Sequence, residues 1–418
     1  MLDINLIRSN PELVKKGVSA KNINPQLVDE FLVLDKEWRE LTAKLDNLRA
    51  EQNKLSSERK IDEAKENKIK IKGIEDKLNE TEKRREEILM SLPNLPFDDV
   101  PVGKDESGNV VIREVNKKPD FDFQPKNYLE LAEKLGLIDI ERASKVSGSR
   151  FGYLKNQAAL FEFALIKLAM DTAVAEGFTP IVPPVMVKSK MMKAMGYIDR
   201  REDQDETYFL KEDDLYLVGT SEQSIGPMHS DEIFNEKELP KRYVGFSTCF
   251  RREAGSYGKD TKGILRVHQF DKIEMFSFCE PEKSKEEHGL LLGIEEKLMQ
   301  ALGLPYRVLS ICTGDLGGPA AAKYDIEVWL PGENRYRETH STSNCTDFQA
   351  RRLNIKYKPK TQNLKPKTDY VHTLNGTAFA IGRTLIAIIE NFQQKDGTIL
   401  VPEVLQKYLG FEKIGLSS

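Results

Sequence analysis

FRREAGSYGKDTKGILRVHQFDKIEMF, residues 250–276, has the pattern of a β-hairpin whose polar side chains share one face. Side chains alternate along a strand, so Arg251 and Glu253 share a face where the first run ends. Alternate positions of the second run are charged or aromatic: Arg266, His268, Phe270, Lys272 and Glu274. Such a surface suits a nucleotide, because arginine forks onto phosphate, a flat ring stacks on a base and a carboxylate accepts from an amine. An edge hairpin with surface charges fits the spacing equally well.

The connecting loop, AGSYGKDTKG at residues 254–263, fits the same two interpretations. Its glycines permit close backbone approach to a ligand, and Lys259 and Lys262 add positive charge. The sequence contains no Walker A motif, no GxGxxG and no GxSxG. Any nucleotide site is therefore neither a P-loop nor a Rossmann turn.

A second stretch, LNGTAFAIGRTLIAIIENF at residues 374–392, joins a strand of small residues to an apolar helix. Alternation predicts one uniformly small face, which would let something pack on the backbone; its residues are Gly376, Ala378, Ala380 and Gly382. Arg383 then stands in the first helical turn, where the helix dipole disfavours a cation, and this indicates a nearby anion. A strand packed on its own helix, with Arg383 on the surface, is a compatible alternative.

Two polar stretches carry weaker signals. RYRETHSTSNCTDFQARR, residues 335–352, offers Glu338 and Ser341 as oxygen ligands for a magnesium ion bound to a nucleotide. A polar turn before an N-capped helix explains this stretch as well. VGTSEQ, residues 218–223, presents Thr220 and Glu222 in a loop after a strand, and such a loop is more often a helix cap than a site.

Composition favours two domains and a reduced, soluble protein. A length of 418 residues exceeds one core of typical size, and a net charge of −4 at pH 7 argues against uniform coating by nucleic acid but leaves local basic patches open. The four cysteines form no CxxC pair, so no structural zinc site is expected. The first residues lack a signal-peptide core and no stretch is long enough to span a bilayer, which predicts a cytoplasmic protein without membrane association.

Near the N-terminus, two heptad seams predict an antiparallel helical hairpin. The first seam, with one polar interruption, consists of Leu27, Phe31, Leu34, Trp38, Leu41, Leu45, Leu48, Gln52 and Leu55. The second consists of Ile71, Ile74, Leu78, Thr81, Arg85, Ile88 and Leu92. A helix of ~30 residues spans ~45 Å, so the hairpin forms an exposed arm. Its distal part, residues 54–72, has seven basic and four acidic residues, net +3 (7 − 4). This fits either a solvated coiled coil or an arm that carries cations to a phosphate backbone.

After the proline-rich linker at 91–101, strands and helices occur in separate blocks, which favours an antiparallel sheet with packed helices. Strands are predicted at 243–250, 264–276, 306–312, 324–330 and 371–381, and long helices at 157–176, 284–302 and 383–394.

Taken in order, these stretches resemble the signature motifs of class II aminoacyl-tRNA synthetases. Motif 1, the dimer-interface element of that family, is matched by Gly177, Phe178, Ile181 and Pro184. The hairpin at 250–276 matches motif 2, and the strand ending at Gly382 and Arg383 matches motif 3. Together with the arm, this order of motifs is similar to that of seryl-tRNA synthetases of the bacterial type.

The resemblance implies that ATP and Mg²⁺ are the cofactors. Arg251 would bind the α-phosphate and the substrate carboxylate, and Arg383 would contact the γ-phosphate, which makes these two the implied catalytic residues. Glu338 and Ser341 would hold Mg²⁺.

At the adenine end, the resemblance implies that Glu253 would accept from the exocyclic amine and that Phe270 would stack on the ring. Val267 would line the same pocket. The complete implied ATP-binding set is Arg251, Arg252, Glu253, Val267, Phe270, Glu338, Thr339, His340, Ser341 and Arg383. His340 stands where the family commonly has a small residue.

For the amino acid, the resemblance implies L-serine. Glu222 and Thr220 would hold its ammonium group, Glu274 and Thr377 its hydroxyl, with Asn375 nearby. The complete implied serine-binding set is Thr220, Ser221, Glu222, Arg251, Glu274, Asn375 and Thr377. A buried site built for a hydroxyl rejects alanine or glycine by ~10⁴ or more, because its own polar groups are otherwise unpaired.

The expected fold is therefore α+β. An antiparallel-sheet class II synthetase catalytic domain at 106–418 follows an N-terminal tRNA-binding domain at 1–105, whose antiparallel coiled-coil arm covers about 27–92. By resemblance, the expected activity is seryl-adenylate formation and transfer of serine to tRNA(Ser), and to tRNA(Sec), by a cytoplasmic homodimer.

Other classes of protein share part of this pattern. A catalytically silent paralogue, acting in RNA binding or as a scaffold, is expected to have lost Arg251, Glu274 or Arg383, and all three are present. An enzyme that aminoacylates carrier proteins with a similar core would lack the arm. The arm and the Glu274/Thr377 pair also argue against a synthetase for threonine or proline.

Overall fold

The computed structural model describes residues 1–199, 205–254, 262–360 and 368–415. The chain divides into two compact units, Met1–Leu95 and Pro96–Ser418. The sequence predicted a boundary at residue 105, whereas the structure assigns 96–105 to the second unit. One reason is that the Phe97 amide donates to the carbonyl of Ala321 at 2.9 Å.

The N-terminal unit is an antiparallel helical hairpin with two short helices before it, as the heptad seams predicted. Its helices span Ile4–Ser9, Pro11–Ala20, Gln26–Ser57 and Ile61–Ser91. Seam residues of the first long helix, Leu34, Leu41, Leu45 and Leu55, are buried. The second long helix begins earlier than its seam, so only residues 58–60 form the turn.

The polar interruption of the first seam has a partner on the second helix. Asn67 is buried, and its Nδ2 donates to the side-chain oxygen of Gln52 at 3.0 Å and to the carbonyl of Leu48 at 2.9 Å. A shifted helix pairing would leave this amide buried without partners. The pair therefore fixes the register of the hairpin.

Nearer the start of the hairpin, the fully buried carboxylate of Asp35 joins three helices. Arg8 donates to both of its oxygens at 2.8 and 2.9 Å, and Arg85 donates to Oδ1 at 2.9 Å. The Arg85 guanidinium also lies 4.8 Å from the ring of Trp38. Burial opposes ionisation, but the bonds from Arg8 and Arg85 hold the pKa of Asp35 below its ordinary value.

The second unit is built on an eight-stranded sheet. In chain order, the strands of the described residues are β1 (Val110–Val115), β2 (Ile138–Asp139), β3 (Tyr153–Leu154), β4 (Thr179–Ile181), β5 (Met186–Lys188), β6 (Tyr208–Leu210), β7 (Leu215–Leu217), β8 (Ile233–Asn235), β9 (Lys241–Phe250), β10 (Gln269–Cys279), β11 (Tyr306–Ser310), β12 (Ala322–Leu330), β13 (Arg335–Asn344), β14 (Lys356–Lys358), β15 (Asp369–Tyr370), β16 (His372–Ala380), β17 (Ile399–Leu400) and β18 (Lys413–Ile414). The large sheet has the order β1-β11-β12-β13-β16-β10-β9-β4 and is antiparallel except where β4 joins β9. The smaller sheets are β15-β14-β8, β5-β7-β6, β2-β3 and β17-β18.

The three long helices, Gln157–Ala175, Ser284–Ala301 and Ile381–Asn391, cover one face of the large sheet. Short helices at Ser189–Met195, Glu222–Ile225 and Phe348–Leu353 pack with Phe276 and Phe278 of β10 on the other face. The α-helices of this unit span Tyr128–Lys134, Ile140–Ser147, Gln157–Ala175, Ser189–Met195, Glu222–Ile225, Ser284–Ala301, Phe348–Leu353, Ile381–Asn391 and Glu403–Leu409. Short 3₁₀ turns lie at Glu106–Gly108, Gly226–His229, Glu236–Glu238, Pro281–Lys283 and Thr313–Asp315. Within the described ranges, no helix combines the length and the apolar composition needed to cross a membrane.

Strand β10 separates the core of this unit from a cleft. Ile273 and Met275 are fully buried in the cluster that includes the covering helices. Their neighbours Lys272 and Glu274 point to the other face, where cavities open. The alternation predicted for this strand is therefore confirmed from Phe270 onward.

The hairpin predicted at 250–276 is shorter than expected. The ends of the other predicted strands and long helices agree with the structure to within about three residues, but β10 starts only at Gln269 because the segment before it has other partners. The amide of Ile264 donates to the hydroxyl of Tyr128 at 2.9 Å, and that of His268 to the carbonyl of Arg150 at 3.0 Å. The prediction that Arg266 and His268 belong to this strand is therefore wrong, although Arg266 still reaches the face to which Lys272 points.

The other strand of the hairpin also ends earlier than predicted. Strand β9 ends at Phe250, and Glu253 has a φ of +53°, in the left-handed region. Strand alternation therefore does not apply to Arg251 and Glu253, which lie beyond the strand.

We expect Asp35→Ala to destabilise the hairpin by about 3 kcal/mol, because Arg85 would keep a largely buried cation without its carboxylate. Hydrogen exchange of peptides from Gln26–Ser57 and Ile61–Ser91 in the full chain would measure this loss. Asp46→Ala, on an exposed position of the same helix, is the matched control. Equal protection in the two variants would contradict a stabilising role for the buried carboxylate.

Candidate active site

Two adjoining cavities, of 650 Å³ and 260 Å³, open on the sheet face opposite the three long helices. Eight residues line both of them: Arg251, Glu253, Arg266, Lys272, Lys323, Glu338, Ser341 and Arg383. We therefore describe one cleft with a larger and a smaller end. Most of the residues that the sequence singled out line this cleft.

The smaller end has an aromatic floor. Phe270, on β10, and Val267 line it together with Thr339 and Thr377. The guanidinium of Arg251 lies 5.3 Å from the centre of the Phe270 ring. A flat ring with an arginine beside it is the arrangement that the sequence predicted for a base and its phosphate.

Arg251 follows β9 at the junction of the two ends and is held in place. Its Nε and Nη2 donate to the carbonyl of Gly219 at 3.3 and 3.2 Å. Its own carbonyl lies 3.0 Å from Nδ1 of His268. These bonds orient the guanidinium at the point where an anion could bridge both ends of the cleft.

The left-handed backbone at Glu253 turns its side chain toward Arg266. Nη1 of Arg266 lies 2.8 Å from the Glu253 carboxylate, and Arg150 donates to the Glu253 carbonyl at 2.9 Å. The sequence placed Glu253 and Arg266 on two separate strand faces, and the structure joins them as one ion pair.

Three basic residues of the motif 2 region lie away from the cleft lining or outside the described residues. The guanidinium of Arg252 lies 5.8 Å from the ring of Tyr208 and is absent from the lining of both ends, although the sequence assigned this residue to ATP. Lys262 is exposed, and Lys259 lies outside the described residues.

Glu338, Ser341 and Arg383 meet where the two ends join. Nη1 of Arg383 donates to the Glu338 carbonyl at 2.9 Å and lies 3.4 Å from its carboxylate. The side chain of Glu338 is 46% exposed at the cleft, and although partial desolvation opposes its ionisation, the charges of Arg383, Lys323 and Arg251 lower its pKa to about 2. Glu338 is therefore an ionised carboxylate within a cationic part of the cleft.

This chemistry fits a hard divalent cation carried by phosphates. A carboxylate and the hydroxyl of Ser341 supply two oxygen ligands, and Mg²⁺ typically takes one or two protein ligands and completes its shell with phosphate oxygens and water. Within the described ranges there is no group of three or more His, Cys, Asp or Glu side chains arranged to hold a metal ion.

The structure does not bring the His340 side chain into the cleft, although the sequence assigned it to ATP. His340 is 1% exposed, and its Nε2–H donates to the carbonyl of Ala378 at 3.0 Å. Its Nδ1 lies 2.8 Å from the Thr339 hydroxyl. Burial lowers the pKa of His340 to about 4, so the ring is neutral near pH 7.

The carbonyl that His340 binds belongs to a β-bulge. Between β10 and β16, Glu274 pairs with Thr377 and Ile273 pairs with Phe379, which leaves Ala378 as an extra residue. The bulge lets Thr377 face the cleft while Phe379 enters the core. The uniformly small face predicted for this strand is therefore wrong, because Gly376 faces the Ser284–Ala301 helix instead.

The larger end of the cleft contains the buried carboxylate of Glu274. Its Oε2 accepts from the hydroxyl of Thr220 at 3.0 Å and forms an ion pair with Lys272. Glu274 is 1% exposed. Thr377, its cross-strand partner, shares the same sheet face.

A second buried carboxylate, Glu222, lies in the same end. Its Oε2 accepts from the Tyr197 hydroxyl at 2.6 Å, and its Oε1 accepts from Asn375 at 2.9 Å and from Gln349 at 3.2 Å. Burial, followed by the negative charge of Glu274, raises the pKa of Glu222 to about 7. A cation placed beside Glu222 would favour its ionised form.

Sequence reasoning assigned no role to two residues that hold Glu222. Gln349 lies in the RYRETHSTSNCTDFQARR stretch and also accepts from Thr373 at 2.7 Å, but nothing in its local pattern separates it from a helix-surface glutamine. Tyr197 belongs to no recognised motif. Ser221, which the sequence did assign, lies beneath the cleft, where its hydroxyl donates to the carbonyl of Gly245 at 3.3 Å.

Two family models match the chain. Residues 208–392 match the tRNA synthetase class II core domain (G, H, P, S and T), and residues 1–96 match the seryl-tRNA synthetase N-terminal domain. The antiparallel sheet and its cleft are therefore those of a class II aminoacyl-tRNA synthetase.

Comparison with individual proteins gives a more specific assignment than the class. The chain is 46% identical to a Serine–tRNA ligase of Dictyoglomus turgidum, over 99% of each protein, and 45% identical to one of Pyrococcus horikoshii, over 99% of this chain and 97% of the relative. The crystal structure of the Pyrococcus horikoshii seryl-tRNA synthetase complexed with ATP superimposes with a TM-score of 0.93, at 43% identity and full coverage of both chains. The cytoplasmic Naegleria fowleri Serine–tRNA ligase, in complex with AMP, gives 0.90 at 36% identity and covers 100% of this chain and 99% of that one.

The chain belongs to the seryl-tRNA synthetase family, and it is an aminoacyl-tRNA ligase.

We expect His340→Gln to flatten the acid dependence of stability. The folded-state pKa of about 4 lies below the ordinary value near 6.5, so the stability that the neutral ring contributes is complete above pH 6.5 and is lost as the pH falls toward 4. This loss amounts to ~3 kcal/mol. Urea unfolding at several pH values should give a shallower slope for the variant, by up to one proton.

Near pH 7.5 the variant should unfold close to wild type, because the glutamine amide can still donate to the Ala378 carbonyl. Parallel acid slopes for the two proteins would show that the ring is not buried in its neutral form.

Proposed function

We propose that this chain is a serine–tRNA ligase, which activates L-serine with ATP and transfers it to the 3′ end of tRNA(Ser). The observation that carries the proposal is the pair of buried carboxylates, Glu222 and Glu274, at one end of a cleft whose other end has the aromatic floor of Phe270. The relatives named as Serine–tRNA ligases match the chain over almost its full length.

The larger end has the two kinds of acceptor that serine requires. In our proposal the ammonium group of serine lies beside Glu222, with Thr220 and Asn375 around it, and its charge favours the ionised carboxylate. The serine hydroxyl bonds to Glu274 and Thr377. An amino acid without that hydroxyl would leave Glu274 buried with an unfilled acceptor, which is why the site would reject alanine.

In the smaller end, adenine would stack on Phe270 beside Val267, with Glu253 at its amine. Arg251 would then contact the α-phosphate and the serine carboxylate together, since it lies between the two ends. Arg383 would contact the γ-phosphate. Glu338 and Ser341 would hold Mg²⁺, which when bound supplies positive charge next to the phosphates.

Positioning and charge are sufficient for the chemistry. The serine carboxylate attacks the α-phosphorus in line, the bond to pyrophosphate breaks, and Arg251 stabilises the charge that develops on the phosphate oxygens. The terminal adenosine hydroxyl of the tRNA then attacks the seryl carbonyl, and AMP leaves. Neither step needs a nucleophile from the protein.

The N-terminal unit is proposed to bind tRNA through its hairpin. Exposed lysines of the distal part, Lys65, Lys68, Lys70 and Lys72, suit contacts to a phosphate backbone. Recognition by shape and phosphates is compatible with tRNA(Ser) and also with tRNA(Sec).

A cytoplasmic homodimer is the proposed assembly. Motif 1 and the Gln157–Ala175 helix before it carry large apolar side chains on their surfaces: Val182 is 81% exposed and Phe163 is 66% exposed. Exposed apolar patches of this kind commonly mark protein interfaces, and a second copy of this chain would cover them.

ATP–pyrophosphate exchange with a panel of amino acids tests the function. We expect serine alone to stimulate exchange, and Arg251→Ala to lower the serine-dependent rate by about 10²–10³-fold, the typical effect of removing a donor that stabilises developing charge. Arg335→Ala, on the same sheet but paired with Glu333 at 2.5 Å, is the control. Near-normal exchange in Arg251→Ala would refute the assignment.

Shortening the hairpin should separate the two half-reactions. Replacing residues 46–73 by a short glycine-rich linker keeps the Asp35–Arg85 pair but removes the distal lysines. We expect tRNA(Ser) charging to fall by at least 10²-fold, because several phosphate contacts are lost, while serine-dependent exchange stays within twofold of wild type. A parallel loss of both activities would contradict this division of roles.

A further inference from the structure

Lys272 lies at the centre of the cleft, yet neither the sequence motifs nor the proposed reaction give it a task. It follows Phe270 by two positions on β10, so its side chain points to the cleft, and it lines both ends. Only 8% of the residue is exposed, although a lysine is normally solvated. Its ammonium forms an ion pair with Oε2 of Glu274.

Both described contacts of the Glu274 carboxylate are made to this one oxygen. Thr220 donates to Oε2 at 3.0 Å and the Lys272 ammonium pairs with the same atom. The carboxylate is thereby held through Oε2, and within the described residues its other oxygen, Oε1, has no hydrogen bond or ion pair and remains an acceptor for a ligand. Because both donors bind one oxygen of this buried carboxylate, the other oxygen accepts a hydrogen bond from a defined direction.

We propose that Lys272 is a positioning residue for substrate specificity: it holds Glu274 as an oriented, ionised acceptor for a hydroxyl and keeps the substrate ammonium at Glu222. The inference rests on the proposed function and deepens it. It concerns the discrimination between serine and amino acids of similar size that lack the hydroxyl.

The charges of the larger end support the proposal that Lys272 keeps the substrate ammonium at Glu222. The larger end holds two buried carboxylates, Glu222 and Glu274, and an ammonium ion would be attracted to both. Lys272 supplies a positive charge at Glu274, where it repels a second cation, whereas the described partners of Glu222 are neutral donors: Tyr197, Asn375 and Gln349. The substrate ammonium therefore has one favoured position, and the rest of the molecule is oriented by it.

A direct phosphate contact by Lys272 is the main alternative, since the side chain also lines the smaller end. The burial of the Lys272–Glu274 pair argues against it. An ammonium that left Glu274 for a phosphate would leave a carboxylate at 1% exposure without its counter-charge. The two roles affect different substrates, so kinetics can distinguish them.

The test is ATP–pyrophosphate exchange by full-length Lys272→Met with serine and with alanine. We expect kcat/KM for serine to fall by about 10- to 100-fold relative to that for alanine, through a rise in the serine KM, with the ATP KM within about twofold of wild type. The ratio of the two amino acids is measured on one preparation, so the folded fraction cancels. Lys272→Arg keeps the charge and should restore most of the ratio.

Lys323→Met is the matched control. Lys323 also lines both ends, and its ammonium lies 3.1 Å from Asp325 instead of Glu274. The same loss of charge there should leave the serine-to-alanine ratio unchanged, whatever its effect on ATP.

The possible outcomes separate this inference from the proposed function. If wild type shows no serine-dependent exchange, the proposed function fails. If wild type is specific for serine and Lys272→Met keeps the wild-type ratio, only the role of Lys272 is overturned. A rise in the ATP KM of Lys272→Met with an unchanged ratio would overturn it in favour of the phosphate contact.

Discussion

A central strand of an antiparallel sheet must direct successive side chains to opposite faces, and the rest of the catalytic unit depends on how β10 meets this constraint. Ile273 and Met275 enter the helix-covered core, while Lys272 and Glu274 enter the cleft. Because β10 is hydrogen-bonded to β9 on one side and β16 on the other, its register cannot slip without moving the charged side chains into the core. The hydrophobic core and the cleft are therefore specified by alternate residues of the same strand.

Two glutamates of this cleft have pKa values that are shifted in opposite directions, because their surroundings differ. Glu338 is surrounded by cations, which lower its pKa to about 2 although the cleft partly desolvates it. Glu222 is buried beside Glu274, and its pKa is raised to about 7. The part of the cleft around Glu338 is thus cationic before any ligand binds, whereas the larger end would gain its full negative charge when a cation binds beside Glu222.

Local patterning predicted the elements of the sheet but not all of the contacts between distant segments. Alternation identified Phe270 and Glu274 as cleft residues, and heptad spacing identified both arm helices. The same rule failed before Gln269, because Tyr128 and Arg150 bind the backbone there, and these partners are more than a hundred positions away in the chain. Strand β13 was not among the predicted strands, and its stretch fitted either a magnesium site or a polar turn, because hydroxyl residues resemble a loop when the partner strands are unknown.

The sequence also identified some of the cleft side chains but not the residues that hold them. Residues whose chemistry is obvious from their type, such as Arg251 and Arg383, lie in the cleft as predicted. Tyr197 and Gln349 act through Glu222, and their importance depends on a three-dimensional neighbour that spacing cannot reveal. The opposite error occurred at His340, which was assigned to the cleft but does not line it. Its neighbours in sequence face the cleft, and because side chains alternate along the strand, His340 points to the other side.

The bulge at Ala378 has a consequence for how this sequence can diverge. Strict alternation would send Thr377 and Phe379 to the same face, and only the extra residue between them allows one to reach the cleft and the other the core. The stretch from Asn375 to Arg383 therefore has a fixed length as well as a fixed chemistry. Substitutions of similar shape are tolerable there. An insertion or deletion of a single residue would instead turn core side chains toward the cleft and cleft side chains toward the core. Natural variants of this segment should accordingly differ by replacement and not by length.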